Sequence, residues 1–177
     1  AAELLLVNRP LEAKKMLQIA LDWIGEDAGR LENLRDSLDL AETYLLLQQP
    51  EKALSLSKRF VEFDAYGYWN TYKGLAMIGI CYVNIGKMDQ VEKVLKRMES
   101  LPTNSLNIAH RWNHMARIYA AMGEKEEALR LLKKYKELTT WSYNPFHAFE
   151  YDYFLRGLFD YPPFEQFTRS PDDYLPN

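Results

Sequence analysis

The fold is decided by residues 112–135, which read WNHMARIYAAMGEKEEALRLLKKY. A small residue, Ala116, precedes Tyr119 by three positions, and Gly123 then interrupts the helical pattern. Ala128 follows Tyr119 by nine positions and opens a second stretch whose apolar residues recur three and four apart. Such spacing gives each helix one buried stripe, and a glycine allows the tight turn between two helices. The stretch therefore predicts an antiparallel helix pair, with the small residues at the crossing where its two helices approach closely.

The same pattern occurs twice more, upstream of this stretch. Tyr44, Tyr82 and Tyr119 are separated by 38 and 37 residues. A small residue lies three positions before each of them, and a turn-forming residue follows each. In chain order the small residues are Ala41, Gly79 and Ala116, and the turn residues are Gln49-Pro50, Gly86 and Gly123. Repeats of this length indicate supersecondary units that bury a core only by stacking on one another.

A partial copy opens the chain, because residues 4–13 match residues 44–53 at an offset of 40. We expect a partial copy over residues 1–25, with a helix from about Pro10 to Trp23 and a linker over 25–29. Full copies are predicted at about 30–64, 68–101 and 105–139. Because the chain opens in mid-repeat and with Ala1 instead of Met, we expect it to be part of a longer protein.

The pattern resembles the tetratricopeptide repeat (TPR), which places Trp, Leu, Gly, Tyr, Gly, Ala, Phe and Ala at fixed positions of a unit of about 34 residues. In the third copy these positions hold Trp112, Met115, Ala116, Tyr119, Gly123, Ala128, Leu132 and Tyr135. In the second they hold Leu75, Ile78, Gly79, Tyr82, Gly86, Val91, Leu95 and Met98. The first copy has Ser37, Gln48 and Ser57 at the Trp, Gly and Phe positions. The resemblance implies an all-α, antiparallel helix-pair solenoid.

The aromatic residues concentrate after the last repeat. Residues 141–177 hold 12 of the 24 Phe, Trp and Tyr residues and five of the eight prolines. Helical spacing continues through Phe146, Phe149, Tyr153 and Gly157, and residues 158–167 indicate a turn and a short helix. The last repeat of a solenoid exposes an apolar face that must be covered. We therefore predict a capping helix and tail over 141–177, with an aromatic contact surface as the alternative.

The closing segment is also similar to the end of many bacterial TPR proteins, which finish with an aspartate–proline–X–phenylalanine segment. Asp160, Pro162 and Phe164 would fill it here, with one extra residue between the aspartate and the proline. This resemblance implies the C-terminal part of a bacterial regulatory protein.

Composition and charge exclude several classes of function. The net charge is −3, from 22 basic and 25 acidic residues, whereas nucleic-acid binding normally needs a basic face. The longest nearly apolar run, 75–83, is too short to cross a membrane. We expect neither nucleic-acid binding nor membrane insertion. The single cysteine, Cys81, cannot close an internal disulfide and is predicted to be a buried, inert thiol. These features do not determine the cellular compartment of the protein, and the cytoplasm is slightly favoured.

The sequence does not indicate an enzyme or a cofactor. Nucleophile elbows, phosphate loops, dinucleotide-type glycine clusters and Cys-X-X-Cys pairs are missing from it. His110 and His114 lie four residues apart and would share a helix face, but a zinc site needs a third ligand. We interpret both as polar wall residues and predict neither catalysis nor metal binding.

The TPR resemblance implies a concave groove lined by the first helix of each pair. A mixed apolar and charged groove suits an extended peptide or a helix. We expect the polar contacts with a partner to come from Lys73, Asn113, His114 and Arg117, and the apolar contacts from Leu38, Met77 and Ile80. The full predicted partner-binding set is Leu38, Asp39, Glu42, Lys73, Met77, Ile80, Asn84, His110, Asn113, His114 and Arg117.

The function expected from these patterns is non-catalytic binding of a protein or peptide partner in the groove. Two alternatives stay open. One is a homodimerisation or packing module that uses the aromatic C-terminal end. The other is the sensor part of a transcriptional regulator or signalling enzyme.

Overall fold

The structure is a computed structural model that describes residues 9–27, 34–62, 68–102, 104–139 and 149–169. These residues are all-helical and contain no strand. The α-helices in chain order are α1 (Pro10–Asp27), α2 (Leu34–Leu46), α3 (Pro50–Glu62), α4 (Tyr68–Asn84), α5 (Met88–Ser100), α6 (Ser105–Met122), α7 (Lys125–Thr139) and α8 (Pro162–Thr168). A 3₁₀-helix spans Tyr153–Leu158, before α8.

The helices pack as three successive pairs. Turns of two or three residues join α2 to α3, α4 to α5 and α6 to α7, and the two helices of each pair pack on one another. Such short connections make the paired helices antiparallel. The first helices also contact each other in sequence, α2 with α4 and α4 with α6. One apolar core therefore runs through all three pairs and into the C-terminal segment.

The three turns share one hydrogen-bonding geometry. Each has a single residue with a positive φ, namely Gln48 (58°), Gly86 (73°) and Gly123 (84°). Its N–H donates to the carbonyl three residues back, and the next N–H reaches the carbonyl of the repeat tyrosine over 2.9 Å. This is the Schellman type of helix ending. The repeats thus share their turn conformation, although Gln48 replaces the glycine in the first.

The turns give a matched pair of stability predictions. A residue with a Cβ pays about 1 kcal/mol or more in the left-handed region, which glycine enters freely. We expect Gln48→Gly to raise the free energy of unfolding by about 0.5–1 kcal/mol and Gly123→Ala to lower it by about 1 kcal/mol. Urea unfolding followed by circular dichroism measures both. Shifts of the same sign in the two variants would contradict a shared turn geometry.

The small residue of the second repeat serves a contact between repeats. A Cβ on Gly79 would lie 2.6 Å from the Ile118 side chain on α6, and Ile118 is itself fully buried. The sequence pattern assigned the small residues to the crossing within each pair. At Gly79 the helix that comes close is instead the first helix of the next pair.

The N-terminal helix is longer than expected. Helix α1 continues to Asp27, so residues 25–27 of the predicted linker are helical. Its buried side includes Ala13 and Leu17, whereas Leu11 and Ile19 are exposed. Residues 1–8 of the predicted partial copy lie outside the described residues, as does the remainder of the linker.

The C-terminal segment, meaning residues 149–169 here, folds back onto the last pair. The expected continuous helix through Gly157 is interrupted at residues 151–152, where a turn leads into the 3₁₀-helix. Phe149 packs edge-to-face on Tyr135 of α7, with ring centroids 5.9 Å apart, and the 3₁₀-helix packs on α6. Its Leu155 and Leu158 join the common core. Residues 140–148 and the predicted tail from 170 onward lie outside the described residues.

Candidate functional site

The predicted binding residues lie on the first helices α2, α4 and α6. The part of that surface around Asp39, Glu42, Lys73, Asn84 and Arg117 is called the first-helix face below. Lys73 and Asn84 stand on one side of α4, because a helix turns by 100° per residue and the two positions are three turns apart. The C-terminal segment contacts the same face at Arg117.

Ion pairs occupy several of the charges that were expected to grip a partner. Lys73 Nζ lies 3.1 Å from Asp39 Oδ1 and 3.2 Å from Glu42 Oε2, which links α4 to α2. Asp39 is more than half exposed, so the pairs stabilise the fold by at most about 1 kcal/mol. These pairs also disfavour ligand binding by Lys73, because its ammonium group would have to leave both carboxylates before it could pair with a ligand.

Arg117 is held by the chain's own C-terminal segment. Its Nε donates to Asp152 Oδ2 over 2.8 Å, and both side chains are largely buried. The other carboxylate oxygen, Oδ1, accepts the backbone N–H of Phe154 over 3.0 Å and so caps the 3₁₀-helix. The Asp152 carboxylate therefore caps the 3₁₀-helix and also attaches it to α6 through Arg117. Arg117, predicted as a partner contact, here makes an internal contact.

His114 lies inside the protein instead of on a groove wall. Its side chain is 4% exposed, and Arg117 Nη1 lies 3.5 Å from its Nδ1. Burial, together with the positive charges of Arg117, His110 and Lys73, holds the pKa of His114 well below its ordinary value. The imidazole is therefore neutral at physiological pH. Its expected role as a polar contact is corrected, because it has almost no surface to offer.

The buried imidazole makes stability depend on pH. In the unfolded chain His114 binds a proton near its ordinary pKa of about 6.5, whereas in the folded chain it stays neutral to much lower pH. The free energy of unfolding is therefore not reduced by His114 above its ordinary pKa of about 6.5. Below that pH it falls by up to about 1.4 kcal/mol per pH unit, because only the unfolded chain binds the proton. We expect urea unfolding between pH 7.5 and 5 to show this loss.

The matched variants are His114→Gln and His110→Gln. His110 is half-buried, and burial lowers its pKa as well, whereas at His114 the positive charges of neighbouring side chains add to the effect of burial. The pH dependence of unfolding should become clearly shallower in His114→Gln and change little in His110→Gln. Equal slopes in the wild type and His114→Gln would contradict the buried neutral imidazole.

The predicted apolar contacts are also mostly inside. Leu38, Met77 and Ile80 are all at most 4% exposed and belong to the common core, so Leu38 and Met77 are corrected from groove contacts to packing residues. Asn113 is half-buried, and its Oδ1 is enclosed. Of the predicted set, the structure brings Ile80 and Asn84 together at an open cleft.

That cleft lies where the three first helices meet the C-terminal segment. It has a volume of about 150 Å³. Among the residues that the structure describes, its walls combine apolar surface with one amide and one cation and include no carboxylate. The lining residues are Leu45, Ile80, Asn84, Ala120, Ala121, Tyr153, Phe154, Arg156 and Gly157. The Arg156 guanidinium stacks 4.0 Å from the Tyr153 ring centroid, which holds it at the rim.

Four of these lining residues, Tyr153, Phe154, Arg156 and Gly157, belong to the segment that the sequence assigned to a terminal cap. Gly157 was the one usable signal, because a lone glycine among large side chains indicates a close backbone approach. A Cβ at this position would run into the carbonyl oxygen of Ala120 on α6. The signal does not identify which backbone approaches, so the sequence could not place the segment on this face.

Cys81 is buried as predicted. Burial, with a contribution from the Glu51 carboxylate, raises the pKa of its thiol to about 12, so the thiolate is not formed near neutral pH. Within the described ranges no three His, Cys, Asp or Glu side chains are placed to hold a metal ion. Among the helices that the structure describes, none is both long and apolar enough to span a membrane.

Comparison with known proteins finds no matching family model, no similar curated protein and no similar solved structure.

Proposed function

We propose that this chain is a non-catalytic interaction domain of tetratricopeptide type that binds a short peptide segment of a partner protein on its first-helix face. The observation that carries the proposal is the cleft at Ile80 and Asn84, where α2, α4, α6 and the C-terminal segment converge. The shared turns and the side-by-side first helices support the repeat assignment.

The chemistry of the cleft sets the kind of segment that fits. Its volume of about 150 Å³ is well below the roughly 300–1,000 Å³ of small-molecule sites and suits one apolar side chain. The Asn84 amide can both donate to and accept from a peptide backbone, and Arg156 at the rim can bind a carbonyl or carboxylate oxygen. The ligand is thus a peptide with one apolar anchor, bound over a short length because internal ion pairs occupy the neighbouring charges.

A peptide selection tests this proposal. A random 12-residue library is displayed on phage and selected on the immobilised chain, and enriched peptides are titrated by fluorescence polarisation. Ala121 is exposed at the mouth of the cleft, so Ala121→Arg should block entry and weaken binding at least tenfold. Ser55→Arg adds the same charge at an exposed position of α3 away from the face and should leave the affinity within twofold.

Failure of the selection, or enriched peptides that bind Ala121→Arg as well as wild type, would overturn the proposal. Both variants should melt within a few degrees of the wild type, because each replaces an exposed residue.

The aromatic-end alternative receives less support from the geometry. Phe149 and Phe164 are buried, and Phe159 stacks on Phe164 with ring centroids 6.0 Å apart. Within residues 149–169 the large apolar side chain left exposed is Tyr151, at 61%. A dimer formed through this segment would therefore bury little new apolar surface. A monomeric mass in solution that does not change with concentration is the result expected here.

A further inference from the structure

A second cleft lies between the second helices of the first two repeats. Helices α3 and α5 both pack on α4 but make hardly any direct contact with each other. The space between them is a cleft of about 320 Å³, called the α3–α5 cleft here. Its lining residues are Lys58, Val61, Glu62, Leu75, Ile78, Tyr82, Gln90, Lys93, Val94 and Arg97.

The α3–α5 cleft and the first-helix face are on opposite sides of α4. Leu75, Ile78 and Tyr82 form the floor of the cleft, and on a helix of 100° per residue they point about 180° away from Lys73, Ile80 and Asn84. A ligand in one site therefore does not touch the other. The cleft is independent of the function proposed above.

The rim of the cleft is basic although the whole chain is acidic. Among the lining residues that the structure describes, the cations are Lys58 on α3 and Lys93 and Arg97 on α5, and the one carboxylate is Glu62. The net charge of the chain is −3, so the charge at this rim is opposite in sign to that of the whole chain. Between the cations the cleft is apolar, with Val61 of α3 on one side and Val94 of α5 on the other. The site therefore offers cations around an apolar centre.

These cations are only weakly engaged by the protein itself. Lys58 Nζ lies 5.4 Å from the Tyr82 ring centroid, and Lys93 pairs at 3.9 Å with Asp89, with both side chains about 70% exposed. Arg97 has no side-chain ion pair with any other residue that the structure describes. On the first-helix face, by contrast, Lys73 and Arg117 already have carboxylate partners. The rim of the α3–α5 cleft is thus a basic surface whose cations can pair with a ligand.

We propose that the α3–α5 cleft binds a short acidic peptide segment of a partner protein, with an apolar side chain seated on its floor and carboxylates paired to Lys58, Lys93 and Arg97. Charge complementarity decides the class of ligand, because arginine and lysine around a groove favour carboxylates and speed association. The volume of about 320 Å³ is at the lower limit of small-molecule sites and accommodates one or two side chains of a single peptide segment, whose flanking carboxylates reach the cations at the rim.

An array of defined peptides tests the proposal on the full chain. Each fluorescein-labelled 12-residue probe carries one Leu, Phe or Trp anchor flanked on both sides by Glu and Asp, and its twin has Gln and Asn instead. We expect at least one acidic probe to bind at least tenfold more tightly than its neutral twin in fluorescence polarisation. Binding should weaken severalfold from 50 to 300 mM salt, since exposed charges are screened.

Two charge reversals locate the site. Lys58→Glu with Arg97→Glu should weaken the acidic probe at least tenfold. The matched control, Arg59→Glu with Lys96→Glu, makes the same change in net charge at exposed positions one residue away on the same two helices, outside the cleft. The affinity of this control for the acidic probe should stay within twofold of the wild-type value. Thermal melts should show that both double variants are folded.

Three results would overturn the proposal: acidic probes that bind no better than their neutral twins, equal losses in the two double variants, or binding of poly-glutamate without an anchor as tightly as the best probe. Self-association of the chain that Lys58→Glu with Arg97→Glu abolishes would overturn it as well, by making a second copy the occupant. Ala121→Arg should not affect the acidic probe, which separates this test from that of the first-helix face.

Discussion

Replacing Leu155 by alanine is expected to lower the free energy of unfolding by about 2–5 kcal/mol, the range for buried leucines. Leu155 is completely buried and belongs to the same core as the three helix pairs. The 3₁₀-helix that carries it packs on α6, so the truncation leaves a cavity beneath the C-terminal segment. The expected loss follows from the segment being part of the fold rather than an appended tail.

Urea unfolding followed by circular dichroism measures this effect. The control is Tyr151→Ala in the same segment, which removes a larger but mostly exposed side chain and should cost less than about 0.5 kcal/mol. A loss below about 1 kcal/mol for Leu155→Ala would show that the segment detaches without disturbing the core, and would contradict the described packing.

Replacing Asp152 by alanine is expected to cost about 2–4 kcal/mol. The change removes the partner of a largely buried guanidinium, and a hydrogen bond to a charged group contributes about 1.5–3 kcal/mol. It also removes the cap of the 3₁₀-helix, the bond from Phe154 N–H to Asp152 Oδ1, and a helix cap contributes about 0.5–2 kcal/mol. Both effects weaken the attachment of the C-terminal segment to α6.

The conservative variant Asp152→Asn separates the two contributions. Its amide oxygen can still cap the 3₁₀-helix while its charge is lost, so we expect a stability between those of the wild type and Asp152→Ala. A double-mutant cycle with Arg117→Met isolates the ion pair, and the coupling should be at least about 1 kcal/mol. Additive effects of the two changes would mean that Arg117 and Asp152 do not interact.

The repeat pattern allowed the helix pairs and their turns to be predicted because these are local. Gly86 and Gly123 lie at turns where a positive φ is needed, and the tyrosine spacing carried the register between copies. Gln48 shows the limit of that reasoning, since its positive φ comes from its place in the repeat and not from its own preference. The extension of α1 over residues 25–27 likewise goes against the low helix propensity of Gly25.

The binding residues were harder to predict because their surroundings are set by distant parts of the chain. Arg117 and Asp152 are 35 residues apart, and no local pattern connects them. His114 was placed on a groove wall by repeat register alone, whereas the structure encloses it. Sequence reasoning identifies which helix face a residue is on; it does not show whether another segment already covers that face.

We propose that a peptide ligand enters the cleft where the first helices meet the C-terminal segment. Two-dimensional ¹H–¹⁵N NMR of the full chain, titrated with a peptide from the phage selection, locates the bound peptide residue by residue. We expect chemical-shift changes to concentrate at Asn84, Ala121, Tyr153 and Gly157, around the cleft. Changes confined to the exposed side of α1, or to α3 and α5 alone, would contradict it.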